Sequence, residues 1–157
     1  MKKMDMVHEI RAAKRAHVSW VSHAHALIMG LPLEKNQVPI HGTECKFGQW
    51  YYGHGQILHR LDVYKAIEQP HISLHETYMH IFQLLFGEHK EEKQSFWEKM
   101  FGQKADVDDD EENKKEANRH YTVLKGYSEQ VVKLLDTLED GLERMDDATF
   151  AKLSATG

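Results

Sequence analysis

The chain has 157 residues, 41% of them hydrophobic and 29% charged, with a formal net charge of −5, which is enough apolar material for a single core without crosslinks. No face-long run of Lys and Arg offsets the negative balance, which argues against a nucleic-acid binder, and no stretch approaches the ~20 apolar residues of a membrane span. Cys45 is the only cysteine; it excludes an internal disulfide and fits a reducing compartment, so a cytoplasmic protein is expected.

The first predicted element is a helix over residues 5–29, with Asp5 as its N-cap, Gly30 placed to end it and Pro32 just beyond. Its apolar positions Met6, Ile10, Ala13, Trp20, Val21, Ala24 and Ile28 step by three and four, and His17 falls inside that stripe. Two prolines, an asparagine and a glycine mark residues 31–42 as a loop. The hexad Cys45-Lys46-Phe47-Gly48-Gln49-Trp50 follows and opens a short helix that Gly53 and Gly55 interrupt.

A second short helix is expected over 57–68, and a third over 70–86 with Pro70 in its first turn, where the missing N–H has no partner to lose. His71, Leu74, His75, Tyr78, Ile81, Phe82 and Leu85 share one side of it. Phe96, Trp97, Met100 and Phe101 form another apolar cluster, read as a further helical piece. Residues 106–112 form an acidic connector or the charged first turn of the next helix. A last long helix, 113–145, carries Ala117, Tyr121, Leu124, Val131, Leu135, Leu138, Leu142 and Met145 toward the core. The fold class is all-α, an antiparallel four-helix bundle with an additional short helix for the Cys motif. It is a single domain over 1–146, and 147–157 is a tail with little signal.

Twelve histidines are the compositional outlier. His71 and His75 are one helical turn apart, so both rings project from one face at a spacing that suits a single ion. His17 sits where periodicity predicts core, and an unsatisfied buried imidazole costs about 1–3 kcal/mol. A backbone carbonyl would satisfy it, and so would a metal shared with His71 and His75. Cys45 reads either as a small buried hydrophobe or as a thiolate ligand. One sulfur and three imidazoles make a complete tetrahedral set for Zn²⁺.

The combination of His17-x-x-Trp20, Cys45-x-Phe47-Gly48-x-Trp50 and His71-x-x-x-His75 resembles the chemoreceptor zinc-binding (CZB) domain family over roughly residues 12–86. The resemblance implies a bacterial cytoplasmic regulatory domain with His17, Cys45, His71 and His75 as zinc ligands and Trp20 and Trp50 as packing residues. It implies a homodimer and a role in chemotaxis or cyclase signalling. Neither a receptor signalling hairpin nor a nucleotide-cyclase domain is legible in these residues, so output is expected to pass to a separate chemoreceptor or cyclase partner. A closed four-ligand site keeps no place for water, so no enzyme activity is expected. The expected input is zinc availability or oxidation of the Cys45 thiolate, hypochlorous acid being the oxidant that the resemblance suggests.

Two alternatives stand beside this. In one, the zinc is a structural clip in a helical dimerisation module. In the other, the chain is a hemerythrin-like di-iron protein using His75-Glu76 and His23/His25, which leaves the Cys hexad unexplained. Asp106-x-Asp108-x-Asp110 imitates a calcium loop, but Glu111 replaces the turn glycine and Ala117 stands where the bidentate glutamate belongs. His8, His41, His54, His59, His89 and His120 read as surface or capping residues, with His41 and His54 near enough to Cys45 to support its site.

Overall fold

Helix α1 (Lys3–Ile28) buries Met6, Val7, Ile10, Ala13, His17, Trp20, Ala24 and Leu27, a stripe repeating every three or four residues. It ends where Gly30 takes a positive φ of 81°, a conformation that costs glycine nothing. In this computed structural model the described residues are 1–34, 37–87 and 106–155, with 106–110 described by backbone alone. The expected helical piece around Phe96, Trp97, Met100 and Phe101 lies outside them, as does His89.

Helix α2 (Lys46–Tyr52) is the short helix of the Cys motif, and Gly53 ends it. A 3₁₀ turn (His54–Leu58) leads to α3 (Asp62–Phe86), which closes at Gly87. The two helices expected on either side of Pro70 are one continuous helix, with Pro70 buried inside it. A proline in a helix interior costs ~3 kcal/mol or more. Here Tyr64, Ile67, His71, Leu74, Tyr78 and Ile81 form a single unbroken stripe across Pro70, so both halves bury against the same core and packing outweighs the lost hydrogen bond.

Helix α4 (Asp106–Arg144) begins seven residues before the expected start, so the acidic run lies on its first turns, where carboxylates favour the positive end of the helix dipole. That backbone also rules out the loop a calcium site needs. Leu124, Val131, Leu135, Leu138 and Leu142 are fully buried along it. The expected tail instead contains helix α5 (Asp147–Ala155). Asp146 caps it, its Oδ1 accepting from the Thr149 amide at 2.7 Å; Phe150 is buried, and the helix touches both α1 and the 3₁₀ turn.

Among the described residues the chain is all-helical, with the Cys motif on a short helix beside the bundle. α3 packs chiefly on α4, and α1 on α4. Trp20 of α1 meets His75 and Tyr78 of α3, while Ile28 and Leu85 share one end of the bundle with Ala117, so α1 and α3 run in the same direction. α4 is antiparallel to both: Arg11 pairs with Glu139 and Glu143, Lys14 with Asp136, and His25 stacks on Tyr121. The cations of this ladder lie on α1 and the anions on α4. No helix among the described residues is long and apolar enough to cross a membrane.

Candidate metal centre

Cys45 occupies the N-cap of α2, and its sulfur accepts the Gly48 amide at 3.2 Å. A thiol here fills a position usually held by Ser, Thr or Asp, so the helix start itself aims the sulfur. The S–H lies 3.3 Å from the Gly42 carbonyl. The preceding loop therefore folds back over the cap, and the fold-back needs glycines. A Cβ on Gly48 would stand 1.6 Å from Gly42 O, and one on Gly42 would stand 3.1 Å from His71 Cε1 and 3.3 Å from His75 Cδ2.

From α3, His71 presents Nε2 to the Cys45 sulfur at 3.4 Å. Zn–S and Zn–N bonds of about 2.3 and 2.05 Å at a tetrahedral angle would put sulfur and nitrogen about 3.6 Å apart. The observed separation is close to that of two ligands on one ion. His75 donates from Nδ1 to the Ile40 carbonyl at 2.7 Å, which fixes the tautomer and leaves the Nε2 lone pair free. That Nε2 is buried and has no hydrogen-bond partner. His71 Nδ1 and the Tyr78 hydroxyl are likewise buried without partners. Ligand atoms of Cys45, His71 and His75 all lie within 4.8 Å of one another, and this is the one such group of His, Cys, Asp or Glu among the described residues.

His17, the fourth expected ligand, is buried on α1 beside these residues, its ring 5.8 Å from that of Phe47. It is not drawn into the three-residue group. Its Nε2 instead meets Ser128 Oγ of α4 at 3.0 Å. All four residues are inside the protein, with exposures of 2% for His17, 4% for Cys45, 1% for His71 and 5% for His75.

Burial sets the electrostatics. Desolvation pushes His17 down to about 4, with His75 adding to the effect. It pushes His71 down to about 3, with help from His75 and His17. His75 falls to about 4 by desolvation, against the opposing Ile40 carbonyl. All three imidazoles are thus neutral near pH 7, the form that binds metal. Burial also raises the Cys45 thiol, the Gly48 amide being the largest opposing influence. A cation at this point would reverse that preference, because a coordinating thiol is deprotonated. The donor set, the free Nε2 and the glycine cradle all fit zinc.

The surrounding residues hold these elements in place. Trp20 lies against His75, ring centroids 4.4 Å apart, and its indole N–H donates to Pro39 O at 3.0 Å, clamping the loop. Trp50 donates to Glu9 Oε2 at 3.3 Å, and the same carboxylate takes His54 Nδ1 at 2.8 Å. Both tryptophans pack as expected. His54 supports the Cys helix through Glu9, and His41 is exposed. Glu76, His23 and His25 are exposed, and no carboxylate-rich di-iron cluster occurs among the described residues.

Residues 17–82 match the chemoreceptor zinc-binding domain family. That segment belongs to the CZB family. The match opens on His17 and takes in Cys45, His71 and His75. CZB is a zinc-binding regulatory domain associated with chemoreceptors, and not a known catalytic family. No curated protein and no solved structure matches the chain.

Ser128, Gly42, the Ile40 carbonyl and Glu9 are contributors that sequence reasoning passed over. Ser128 carries a signal: it lies four residues after Leu124 and three before Val131, a serine at a register position of the apolar stripe of α4. Nothing local singled out the others.

Proposed function

We propose that this protein is a zinc-dependent regulatory domain whose metal is held by His17, Cys45, His71 and His75. The observation that carries the reading is the buried convergence of Cys45, His71 and His75, with a fixed His75 tautomer whose Nε2 has no protein partner. His17 completes the set from α1. One thiolate and three neutral imidazoles from these residues would hold the ion with four protein ligands, which would tie their segments together and leave no place for a catalytic water.

Two inputs act on such a site. Zinc supply changes its occupancy, and because the ligands come from α1, α2 and α3, metal binding contributes directly to packing those helices. Oxidation acts on the sulfur: the zinc-held thiolate gives an electron pair to hypochlorous acid, an S–O bond forms as the O–Cl bond breaks, and chloride leaves. The resulting sulfenic acid is a poorer ligand, and an external thiol must reduce it because the chain has no second cysteine. The output passes to a separate chemoreceptor or cyclase partner in the cytoplasm, from a homodimer of this chain.

Challenge with hypochlorous acid and, separately, with chelator tests the switch. Zinc release with loosened helix packing is the expected response. Zinc that resists both under native conditions would instead mark a structural clip.

A further inference from the structure

Ser128 lies on α4, more than forty residues beyond the segment that matches the CZB family. Its hydroxyl is half-buried, and the 3.0 Å contact with His17 Nε2 crosses from α4 to α1 in the middle of both helices. Metal-ligating histidines almost always engage their second ring nitrogen with a hydrogen-bonding partner, which fixes tautomer and ring orientation. For His75 that partner is the Ile40 carbonyl. With Nε2 of His17 taken by Ser128, Nδ1 is the nitrogen left for an ion.

We infer that Ser128 is a positioning residue of the metal site, through which α4 holds His17 with Nδ1 available and responds to zinc. The inference rests on His17, Cys45, His71 and His75 being the ligand set. It extends that set by naming the helix that registers occupancy. The other ligands tie only α2 and α3 to the ion, whereas the His17–Ser128 bond carries its influence into α4. That helix already grips α1 through the ion pairs of Arg11 and Lys14. Fixing His17 on zinc therefore stiffens the α1–α4 contact around Ser128.

The test uses the full chain and zinc alone. Zinc affinity is measured by chelator competition for the parent protein, Ser128→Ala, Ser128→Thr and Cys45→Ser, and the His17 ring nitrogens are followed by NMR. Ser128→Ala is expected to bind zinc about 10- to 100-fold more weakly, while Ser128→Thr, which keeps the hydroxyl, restores binding. Zinc should shift His17 Nδ1 in the parent, and amide exchange around residue 128 should slow in the parent but not in Ser128→Ala. Undiminished affinity in Ser128→Ala, a metal-bound Nε2, or exchange in α4 that ignores zinc in the parent would overturn the inference. Cys45→Ser separates the two levels. If it binds zinc as the parent does, the ligand set itself has failed. If it does not, while Ser128→Ala binds normally, only the role of Ser128 is lost.

Discussion

Gly48 and Gly42 are in direct backbone contact over the Cys45 sulfur, so close that a Cβ on Gly48 would fall 1.6 Å from the Gly42 carbonyl oxygen. Neither atom is the end of a flexible side chain, so the backbone itself must move to admit a methyl group. Gly48→Ala is therefore expected to displace the loop from the cap of α2, at a cost of about 1–3 kcal/mol or more. The Gly42 carbonyl and the Gly48 amide both contact the sulfur, so zinc affinity should fall with stability. Urea unfolding and chelator competition on the variant check both; a variant of parental stability and affinity would show that the cradle is not tight.

Trp20 offers a second point of leverage. Its ring rests on His75 and Tyr78, and its N–H holds the loop at Pro39. Trp20→Ala should cost about 3–5 kcal/mol, and Trp20→Phe, which keeps most of the ring and loses the hydrogen bond, considerably less. Equal losses for the two variants would mean that the loop clamp, and not the packing, dominates.

Zinc binding should release protons in a countable way. Near pH 7 the three imidazoles are already neutral and the buried thiol is protonated, so about one proton leaves, from Cys45. Calorimetric titration in buffers of different ionisation enthalpy measures this number. Release of two or more protons would show that histidines are charged before the metal arrives, and Cys45→Ser should release none at the site.

The same values set the pH dependence of the metal-free protein. The folded pKa values of His17, His71 and His75 lie at about 4, 3 and 4, below the unfolded 6.5. Below 6.5 the unfolded chain takes up protons that the folded chain refuses. Stability is thus fully present above that value and declines as the pH falls toward about 4, by up to ~1.4 kcal/mol per imidazole per unit. Urea midpoints measured with chelator from about pH 7.5 down to 5 should decline; midpoints that hold or rise would contradict the buried, neutral histidines.

Helix stripes and the burial of the candidate ligands are the legible parts. His17, Cys45, His71 and His75 stand out because polar, ligand-type groups occupy positions where periodicity or motif predicts burial, and the structure buries all four. At Pro70 local backbone chemistry favours a helix start, whereas the stripe from Tyr64 to Ile81 runs straight through it and keeps the helix continuous. The helix in the tail is not legible in the sequence because only Phe150 among its residues is buried, leaving little periodicity. The Gly42 cradle and the Ile40 carbonyl are backbone features created by the fold-back of a loop, and no side-chain pattern encodes them. The role of Ser128 depends on a contact with His17 that only the packing of α4 on α1 creates.

The most direct measurement is X-ray absorption of the zinc-loaded protein beside Cys45→Ser, with metal content determined on both. The expected result is one zinc per chain with one sulfur and three imidazole nitrogens in the parent, and loss of the sulfur together with most of the metal in the variant. Full zinc occupancy in Cys45→Ser, or a parent spectrum without sulfur, would contradict it.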